Sequence, residues 1–445
     1  MLSPSRIRVC LACFGLSASA VFADPHAYLL TKIKTPAGFS DVTVADMNNH
    51  DALVGSATPN SEPNGSTALY WSDPSSPKVM SAGAAAYGIN DPADACGAVG
   101  PEQAVYWDHH ITLKGLPMPQ SVGRCRDLNG AGTKVGEASF GSTMRAVRWD
   151  DDGIHNLGSL GDARTISSAS AISPSGIIVG SSNLGPDNQT TTTHAVSWPV
   201  TGSMVDLGTL GGPDSAARAV NDAGQIVGRS NLNIIILGSY VYRATLWEAG
   251  VPQDLGTADG QYNSDAYGIN ESGLVVGTSY TNNPGHATLW DHGSNIDLDA
   301  LLSPQLPANY RLTKALRINN KGNILLAGLD ASGNPVFYLA TAVSPTHVTL
   351  ASTVNPSLSG DPVLLVATVT ADSGGTPTTA VTFEDGSSVL GTGILDSSGR
   401  ATLRVFLGVG THPLTASFKG YVPYGSSTSA VYTQRVRLKL IPTPH

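Results

Sequence analysis

The sequence predicts an all-β protein in two parts, a seven-bladed β-propeller followed by an antiparallel β-sandwich. Three observations predict this fold class. A segment recurs seven times at spacings of 39 to 49 residues, and each copy divides into short stretches typical of strands. The residues after 346 alternate strand-like stretches and turns without that repeat. The 49 glycines and 28 prolines among 445 residues supply the many tight turns that this fold requires.

Residues 1–23 have the pattern of a secretory signal peptide. Arg6 and Arg8 form a positively charged start, and 15 largely apolar residues follow and end in the small residues that a signal peptidase recognises. We predict cleavage between Ala23 and Asp24. The apolar run is shorter than the roughly 18 to 20 residues that span a bilayer. We therefore expect an exported protein, periplasmic or extracellular, without a transmembrane segment.

The four cysteines divide equally between the signal peptide and the mature chain. Cys13 is a candidate for a lipid anchor, but Cys10 stands three residues before it, where lipoprotein signals have an aliphatic residue. Cys96 and Cys125 remain after cleavage, and an oxidising compartment favours a disulfide between them. The alternative is a pair of buried thiols that do not meet.

Seven repeat units align on a polar residue in a turn. It is asparagine in six units and serine in one: Asn48, Asn90, Asn129, Ser173, Asn221, Asn270 and Asn319. Glycine stands three positions later in five units and seven positions later in six. Each unit then has one aromatic residue in its third stretch: Trp71, Trp107, Trp149, Trp198, Trp247, Trp290 and Tyr338. Since this register accounts for all six tryptophans, the repeat is a structural unit.

The unit that contains Asn221 shows how one repeat divides into four strands. Asn221 and Gly224 lie in the turn between the first two strands, where asparagine caps the turn and glycine adopts a positive φ. The four predicted strands are residues 217–220, 225–229, 244–247 and 254–257. Four short strands at this spacing match one propeller blade. Seven units therefore predict seven blades.

The two ends of the repeat predict how the ring closes. The seventh unit has three strands, at residues 315–318, 323–327 and 336–340, but no fourth. Residues 27–33 precede the first unit in the place that a fourth strand normally takes. An N-terminal strand in the last blade would pair both exposed edges. The alternative is an open array of sheets.

These repeats resemble the bacterial extracellular repeat family named HAF after its His-Ala-Phe signature. The resemblance covers about residues 27–340 and rests on LGTLGG, AVNDAGQIVG and RATLW, with the variants HAVSW and HATLW, at residues 207–212, 219–228, 243–247, 194–198 and 286–290. Three positions depart from it: Asp51 and Ala93 replace the turn glycine, and Leu326 replaces the second glycine. The resemblance implies an exported β-repeat protein without an assigned activity.

A second domain follows a short linker at residues 341–346. Residues 347–436 contain seven strand-like stretches separated by turns, which predicts an antiparallel sandwich. The run VTFEDGSSVLGTGILDSSGRATLRV and the following GTHPLTASFKG closely resemble bacterial Ig-like repeat domains. The resemblance implies that residues 347–445 are an Ig-like β-sandwich with a short C-terminal tail. Such modules serve as spacers or adhesive stalks.

Sequence motifs for catalysis are missing from the mature chain. It lacks a glycine-rich phosphate loop, an HExxH zinc motif, a CxxC pair and a GxSxG nucleophile elbow. Asp150, Asp151 and Asp152 do not fit a calcium loop, so we predict a solvated hairpin tip. His194 and His286 are predicted to bond to a neighbouring blade rather than to a metal, since arginine takes the same place in other units. We expect no cofactor and no metal.

The most favourable binding surface is predicted where the repeats differ in length. Insertions gather between the second and third strands, and loops on a rigid scaffold often bind ligands. The longest insertion, residues 231–242, is unusually apolar. We predict a partner or carbohydrate site over blades four to six, formed by Tyr240, Tyr242, Tyr262, Asn263, Tyr280 and Asn282, with Asn283 beside it. The alternative is that this insertion merely extends a strand.

The composition narrows the function classes. A formal net charge of −9 disfavours nucleic acid and anionic membranes as partners. We therefore expect a monomeric, exported, non-catalytic binding or adhesive scaffold, with the Ig-like domain as a spacer and a protein or carbohydrate ligand at the cell surface. The alternative is a secreted enzyme that acts on an extracellular polysaccharide or another polymer.

Overall fold

The computed structural model describes residues 27–439, apart from residues 101–102, 121, 163, 186–191, 282–283, 303–305 and 308. The predicted signal peptide and its cleavage site at Ala23 and Asp24 lie outside the described residues. The described chain is all-β, as predicted, with a single 3-10 turn at Leu298–Leu301. Within it, no helix is long and apolar enough to cross a membrane.

The strands before residue 344 pair into four-stranded antiparallel sheets, numbered here in chain order. The first strand, β1 (Ala27–Lys32), belongs to the seventh sheet. Sheet 1 contains β2 (Phe39–Met47), β3 (Leu53–Pro59), β4 (Thr67–Trp71) and β5 (Pro77–Ala82). Sheet 2 contains β6 (Ala84–Ile89), β7 (Ala95–Val99), β8 (Gln103–Asp108) and β9 (Thr112–Gly115). Sheet 3 contains β10 (Gly123–Leu128), β11 (Lys134–Phe140), β12 (Thr143–Asp150) and β13 (Gly153–Asn156).

The next three sheets have the same order of strands. Sheet 4 contains β14 (Ser167–Ile172), β15 (Ile178–Asn183), β16 (Thr193–Trp198) and β17 (Val205–Asp206). Sheet 5 contains β18 (Gly211–Val220), β19 (Ile226–Ile236), β20 (Ser239–Glu248) and β21 (Val251–Asp254). Sheet 6 contains β22 (Asn263–Ile269), β23 (Val275–Tyr280), β24 (His286–Asp291) and β25 (Ser294–Asp297).

The seventh sheet joins the two ends of the repeat region. It contains β26 (Arg311–Ile318), β27 (Ile324–Leu329) and β28 (Pro335–Val343). Its fourth strand is β1, which pairs antiparallel with β28 from Ala27 opposite Val343 to Lys32 opposite Tyr338. The edge of β28 is therefore paired by the start of the chain.

Each pair of neighbouring sheets has an apolar cluster of its own. For example, Trp107 of sheet 2 packs with Val54 of sheet 1, and Trp290 of sheet 6 packs with Val227 of sheet 5. One cluster contains residues of the first and the last sheets, including Trp71, Leu325 and Leu339. The seven sheets are therefore arranged in a propeller-like ring.

The turn asparagines form a second set of links between the sheets. Asn48 Nδ2 donates to Asn90 O (2.9 Å), and the same bond recurs from sheet to sheet as far as Asn319, whose Nδ2 donates to Asn48 O (3.2 Å). Ser173 is too short for this bond, and Ser175 N donates to Asp222 Oδ1 instead (2.7 Å). We call this feature the asparagine ring.

The two glycine positions of the repeat have different causes. The first lies in the turn at positive φ, and Asp51 and Ala93 adopt the same φ of 68° there without being glycine. The second faces a β-bulge in the first strand: a Cβ on Gly228 would collide with the carbonyl oxygen of Ala216. Glycine is therefore kept more strictly at the second position, where a side chain would not fit, than at the first, where a positive φ is needed. Among the seven units, only sheet 7 has another residue, Leu326, at the second position.

The predicted fourth strand of sheet 5 is displaced by three residues. We expected residues 254–257, but the strand is Val251–Asp254. The reason is a tight turn at Ala249 and Gly250, which both have positive φ and bring the chain straight back from β20. The LGT stretch after Asp254 therefore belongs to the connection between sheets.

The tryptophans and the cysteines lie where the repeat predicts. Each tryptophan is at most 6% exposed and fills the seam between sheets; Trp198 Nε1, for instance, donates to Leu157 O beyond sheet 3 (2.8 Å). Cys96 of β7 and Cys125 of β10 form a disulfide with their Cα atoms 5.6 Å apart, which confirms the prediction. It links sheets 2 and 3 inside their apolar cluster.

The C-terminal domain is a sandwich of two sheets, separated from β28 by Ser344 and Pro345. The smaller sheet contains β29 (Thr346–Ser352), β31 (Val363–Ala371) and β34 (Arg400–Val405). The larger contains β30 (Ser357–Leu358), β32 (Ala380–Asp385), β33 (Ser388–Ile394), β35 (Gly410–Phe418), β36 (Ser427–Thr428) and β37 (Tyr432–Arg437). Phe383 and Phe418 are the largest side chains of one apolar cluster between the sheets.

Candidate functional site

The apolar insertion of sheet 5 is a regular hairpin rather than a loop. Strands β19 and β20 continue past the core of the sheet, with Ile235 opposite Tyr240 and a turn at Leu237 and Gly238. The alternative interpretation, strand extension, is therefore the one that the structure shows. The hairpin is solvated on its apolar side, since Ile235 is 59% and Leu237 102% exposed. The four consecutive apolar residues 234–237 are each at least 38% exposed, so they cover a surface of the protein rather than its core.

The structure brings together three of the six predicted site residues, Tyr242, Asn263 and Tyr280, in strands rather than in loops. Asn263 begins β22 and lies opposite Tyr280, the last residue of β23. Tyr242 N donates to Asn263 Oδ1 (3.0 Å), which joins the hairpin to sheet 6. Tyr262 precedes β22 and is 51% exposed. Asn282 and Asn283 lie outside the described residues.

Two arginines that the sequence analysis missed complete this group. Arg229 lies with its guanidinium carbon 4.7 Å from the ring centre of Tyr242, and Arg218 lies 5.0 Å from the ring centre of Tyr267. Asp265 joins them, because it accepts two bonds of 2.8 Å from Arg218 and lies 3.8 Å from Arg229. We call these residues, with Tyr280, the arginine–tyrosine cluster.

Two phenols of this cluster, those of Tyr267 and Tyr280, have a raised pKa. Burial raises the pKa of Tyr280, and the negative charge of Asp265 raises it further. The same two causes raise the pKa of Tyr267. Both hydroxyls therefore remain hydrogen-bond donors at any ordinary pH. Together with the guanidiniums, they can donate to an oxygen-rich ligand.

A central cavity of about 350 Å³ adjoins the arginine–tyrosine cluster. The first strand of every sheet contributes at least one residue to its wall: Ala45, Tyr87, Arg126, Ser168, Ser170, Arg218, Tyr267 and Arg317. Six of these stand three positions before the turn residue of their unit, a regularity in the sequence that Arg317 does not share, since it stands two positions before Asn319. We refer to it below as the central cavity.

A second, smaller cavity of about 190 Å³ lies towards the asparagine ring. It shares Arg218 and Arg317 with the central cavity and is lined also by Asp46 and Asp127. Burial raises the pKa of Asp127 to about 7, and the negative charge of Asp46 adds to the shift. Asp127 caps the next sheet, since Ile172 N donates to its Oδ2 (2.9 Å).

The two histidines bond within their own sheets, so the prediction of a neighbouring blade is wrong for both. His194 Nδ1 lies 3.0 Å from Asp206, and His286 Nδ1 lies 2.8 Å from Asp297. In each case the partner is at the end of the fourth strand, which pairs beside the third and brings the carboxylate within reach. At the aspartate hairpin, Asp151 and Asp152 are exposed as predicted, while Asp150 bonds Arg148 and His155.

Among the described residues, two groups have ligand atoms close enough to hold a metal ion: Asp94, Asp108 and His109, and Asp259, His286 and Asp297. In the first group, Asp108 already accepts a bond from Lys114 (2.8 Å), and the imidazole of His109 is 68% exposed. In the second, Asp259 lies on the surface, and its pKa is raised by a shared hydrogen bond with Asp297. Both arrangements are typical of solvated carboxylates paired with a neighbour.

Comparison with known proteins identifies one domain. Residues 348–437 match the model of the bacterial Ig-like domain (group 3), which confirms the resemblance of the second domain. No curated protein matches the chain by sequence.

Solved structures align with this chain at low TM-scores and with little shared sequence. A candidate gluconolactonase has a TM-score of 0.35 and 10% identity, over 72% of this chain and 93% of that one. The extracellular domain of a candidate one-component system from B. thetaiotaomicron has a TM-score of 0.23 and 8% identity, over 92% and 75%. At these TM-scores the likenesses do not bear on the activity.

Proposed function

We propose that this chain is an exported, non-catalytic binding protein whose seven sheets are the blades of a closed β-propeller of HAF-type repeats. Two observations support the closed ring: β1 completes the sheet of β26 to β28, and Asn319 bonds to Asn48 as each earlier asparagine bonds to the next. The Ig-like domain acts as a spacer that carries the propeller away from its point of attachment. A rigid ring presents its loops in fixed positions, as a binding scaffold requires.

The observation that carries the proposal is the contact between the β19–β20 hairpin and the arginine–tyrosine cluster. Tyr240 is 37% exposed on the hairpin, Tyr242 packs on Arg229, and Tyr280 follows from the next sheet. Aromatic rings beside guanidinium and amide groups offer apolar faces together with hydrogen-bond donors and acceptors. A carbohydrate presents the same combination of C–H faces and hydroxyls. The ligand class is therefore a surface polysaccharide or glycan.

The test is a screen of glycans and polysaccharides with the full chain, followed by titration of the best ligand. We expect the Tyr240→Ala and Tyr242→Ala variants to bind at least about tenfold more weakly, because each removes a contact face worth about 1.4 kcal/mol or more. Tyr432→Ala in the Ig-like domain is the matched control and should bind as the native chain does. Unchanged binding in both hairpin variants would contradict the site.

Product analysis separates the binding protein from the alternative, a secreted enzyme acting on an extracellular polymer. We expect saturation of the ligand without shortened products after prolonged incubation. Release of oligosaccharides by the native chain would overturn the non-catalytic proposal. Mass spectrometry of the exported protein tests the compartment, since a mature chain that begins at Asp24 shows that the signal was cleaved.

A further inference from the structure

The wall of the central cavity is strongly cationic in a protein that is acidic overall. The chain has a net charge of −9, yet Arg126, Arg218 and Arg317 line this one cavity. None of the described residues that line it is acidic. Each guanidinium is paired with one carboxylate, but none of these carboxylates lines the cavity of about 350 Å³.

The carboxylates that pair with these arginines do not line the central cavity, although Asp46 lines the smaller cavity beside it. Asp265, Glu137 and Asp46 have side chains that are only 4%, 12% and 10% exposed. The side chains of Arg218, Arg126 and Arg317 are 34%, 37% and 36% exposed. The pairs hold the guanidiniums in place and leave their open sides towards the cavity.

Each guanidinium keeps hydrogen-bond donors that its partners do not use. Arg218 donates to Asp265 from Nε and Nη2, and Arg126 donates to Glu137 from Nη2 alone. Arg317 donates from Nε to Asp46 and from Nη1 to the backbone of Leu316. Since a guanidinium has five N–H donors, at least three on each arginine remain for a ligand.

Flat aromatic faces and hydroxyls complete the wall. Tyr87 lies 5.8 Å from Arg126, and Tyr267 lies 5.0 Å from Arg218. Ser168 and Ser170 fill the wall between the arginines of sheets 3 and 5. The cavity volume is at the lower end of the range of about 300–1,000 Å³ for small-molecule sites. These dimensions suit a single sugar unit with one charged group.

We infer that the central cavity binds a saccharide unit that carries an oxyanion, a carboxylate or sulfate group held by Arg126, Arg218 and Arg317. This site shares Arg218 and Tyr267 with the arginine–tyrosine cluster, whereas the hairpin residues Tyr240 and Tyr242 do not line it. Arginine recognises both groups through paired N–H donors. If the arginines served only to link the sheets, their pairing with carboxylates would be explained. Such a role does not explain why all three also line a cavity that has no carboxylate in its wall.

The test is calorimetric titration of the full chain with sodium galacturonate, sodium sulfate and neutral galactose at equal ionic strength. We expect galacturonate to bind, and Arg126→Gln and Arg317→Gln to weaken it at least about tenfold, because each removes a charge-assisted bond. Arg404→Gln in the Ig-like domain is the matched control. Tyr240→Ala should leave galacturonate binding unchanged, which distinguishes this site from the hairpin surface.

A second measurement does not depend on the folding of any variant. The unfolding temperature of the native chain, followed by tryptophan fluorescence, should rise with galacturonate and not with galactose. If sulfate binds as tightly as galacturonate, the cavity is still an oxyanion site, but its ligand is a free anion rather than a saccharide. Equal effects of galactose and galacturonate, no effect of any anion, or binding unchanged in both arginine variants would overturn the inference.

Discussion

The repeat region is antiparallel and the Ig-like domain is so except where β30 pairs with β37, yet different interactions stabilise the two. One apolar cluster that contains Phe383 and Phe418 holds the sandwich together. In the ring, each junction between sheets has its own small cluster, supplemented by buried asparagines, arginine–carboxylate pairs and a disulfide. Stability in the sandwich is therefore shared by the whole domain, whereas in the ring it is distributed over the junctions, as in other repeat proteins.

The two regions also differ in how they bury polar side chains. A junction between sheets places the turn of one unit beside the turn of the next, so one amide can satisfy two backbone groups. Among the described residues the sandwich has no such recurring position, and its buried polar groups are single ones, such as Gln434, whose Nε2 donates to Val354 O (2.9 Å). All six tryptophans lie in the ring and none in the sandwich, so tryptophan fluorescence follows the ring alone. The predictions below use that separation.

The largest expected effect is a cavity in the sandwich core. Phe383→Ala should lower the free energy of unfolding of the Ig-like domain by about 3–5 kcal/mol, since Phe383 is fully buried. Far-UV circular dichroism should show an earlier first transition, while the tryptophan-monitored transition stays in place. A parallel shift of the tryptophan signal would show that the two regions unfold as one.

Removal of the disulfide should destabilise the ring and leave the sandwich unchanged. Replacing Cys96 and Cys125 together by alanine opens a link with a sequence separation of 29. We expect the ring to lose about 3 kcal/mol of stability, chiefly because the unfolded chain gains freedom. The tryptophan-monitored transition should move to lower urea, and a reducing agent should reproduce the shift only in the native chain. An unchanged midpoint would mean that neighbouring sheets suffice at this junction.

The asparagine ring can be tested at one junction with two variants. Asn221 accepts a bond from Gln225 N (3.0 Å) within its sheet and donates to Asn270 O (3.1 Å) in the next. Asn221→Ala should cost about 2 kcal/mol, because it leaves buried backbone groups unsatisfied. Asn221→Ser should cost less, since Ser173 keeps the bond within the sheet at the equivalent place. Equal losses in both variants would assign the stability to the link between sheets alone.

The smallest effect is a dependence on pH that only the ring should show through tryptophan fluorescence. The pKa of Asp127 is about 7 in the folded chain, above the ordinary value of 3.8. A raised pKa stabilises the folded state most at low pH, and that contribution is lost as the pH rises towards and through 7. Between pH 5 and 8 we expect the stability to fall as the pH rises, because the unfolded chain releases this proton near its ordinary pKa of 3.8 and the folded chain only near 7.

The control for this effect is Asp127→Asn, which removes the ionisable group. Urea midpoints of the native chain and the variant, measured by tryptophan fluorescence at pH 5, 6, 7 and 8, should differ in slope. The variant curve should be flatter, whatever its absolute stability. Parallel curves would show that another group of the ring causes the pH dependence.

Much of the fold could be predicted because its signals are local. The turn asparagine, the glycine seven residues later and the tryptophan of the third strand all lie within one unit, where backbone geometry dictates residue type. The same register predicted the disulfide, since Cys96 and Cys125 occupy strands of adjacent units. The fourth strand of sheet 5 was missed by three residues because the turn at Ala249 and Gly250 has no asparagine or aspartate to mark it.

The candidate site was predicted only in part. Tyr242, Asn263 and Tyr280 do meet, because units five and six are neighbours in the chain. Their place in strands was missed, since a long apolar insertion can form a loop or extend a hairpin, and sequence periodicity does not separate the two over so few residues. The partners of His194 and His286 were also missed, because the pairing of the third strand with the fourth brings Asp206 and Asp297 beside them.

What the sequence by itself determined is the unit: its strands, its turn chemistry, its buried aromatic residue and the N-terminal strand that the last sheet lacks. Only the tertiary structure decided which residues line the central cavity. Arg317 meets Asp46 across 271 residues, and three arginines from alternate sheets face one cavity. The physical reason is that a unit's own residues fix its local geometry, whereas the contents of the cavity depend on the twist, number and closure of all the sheets together.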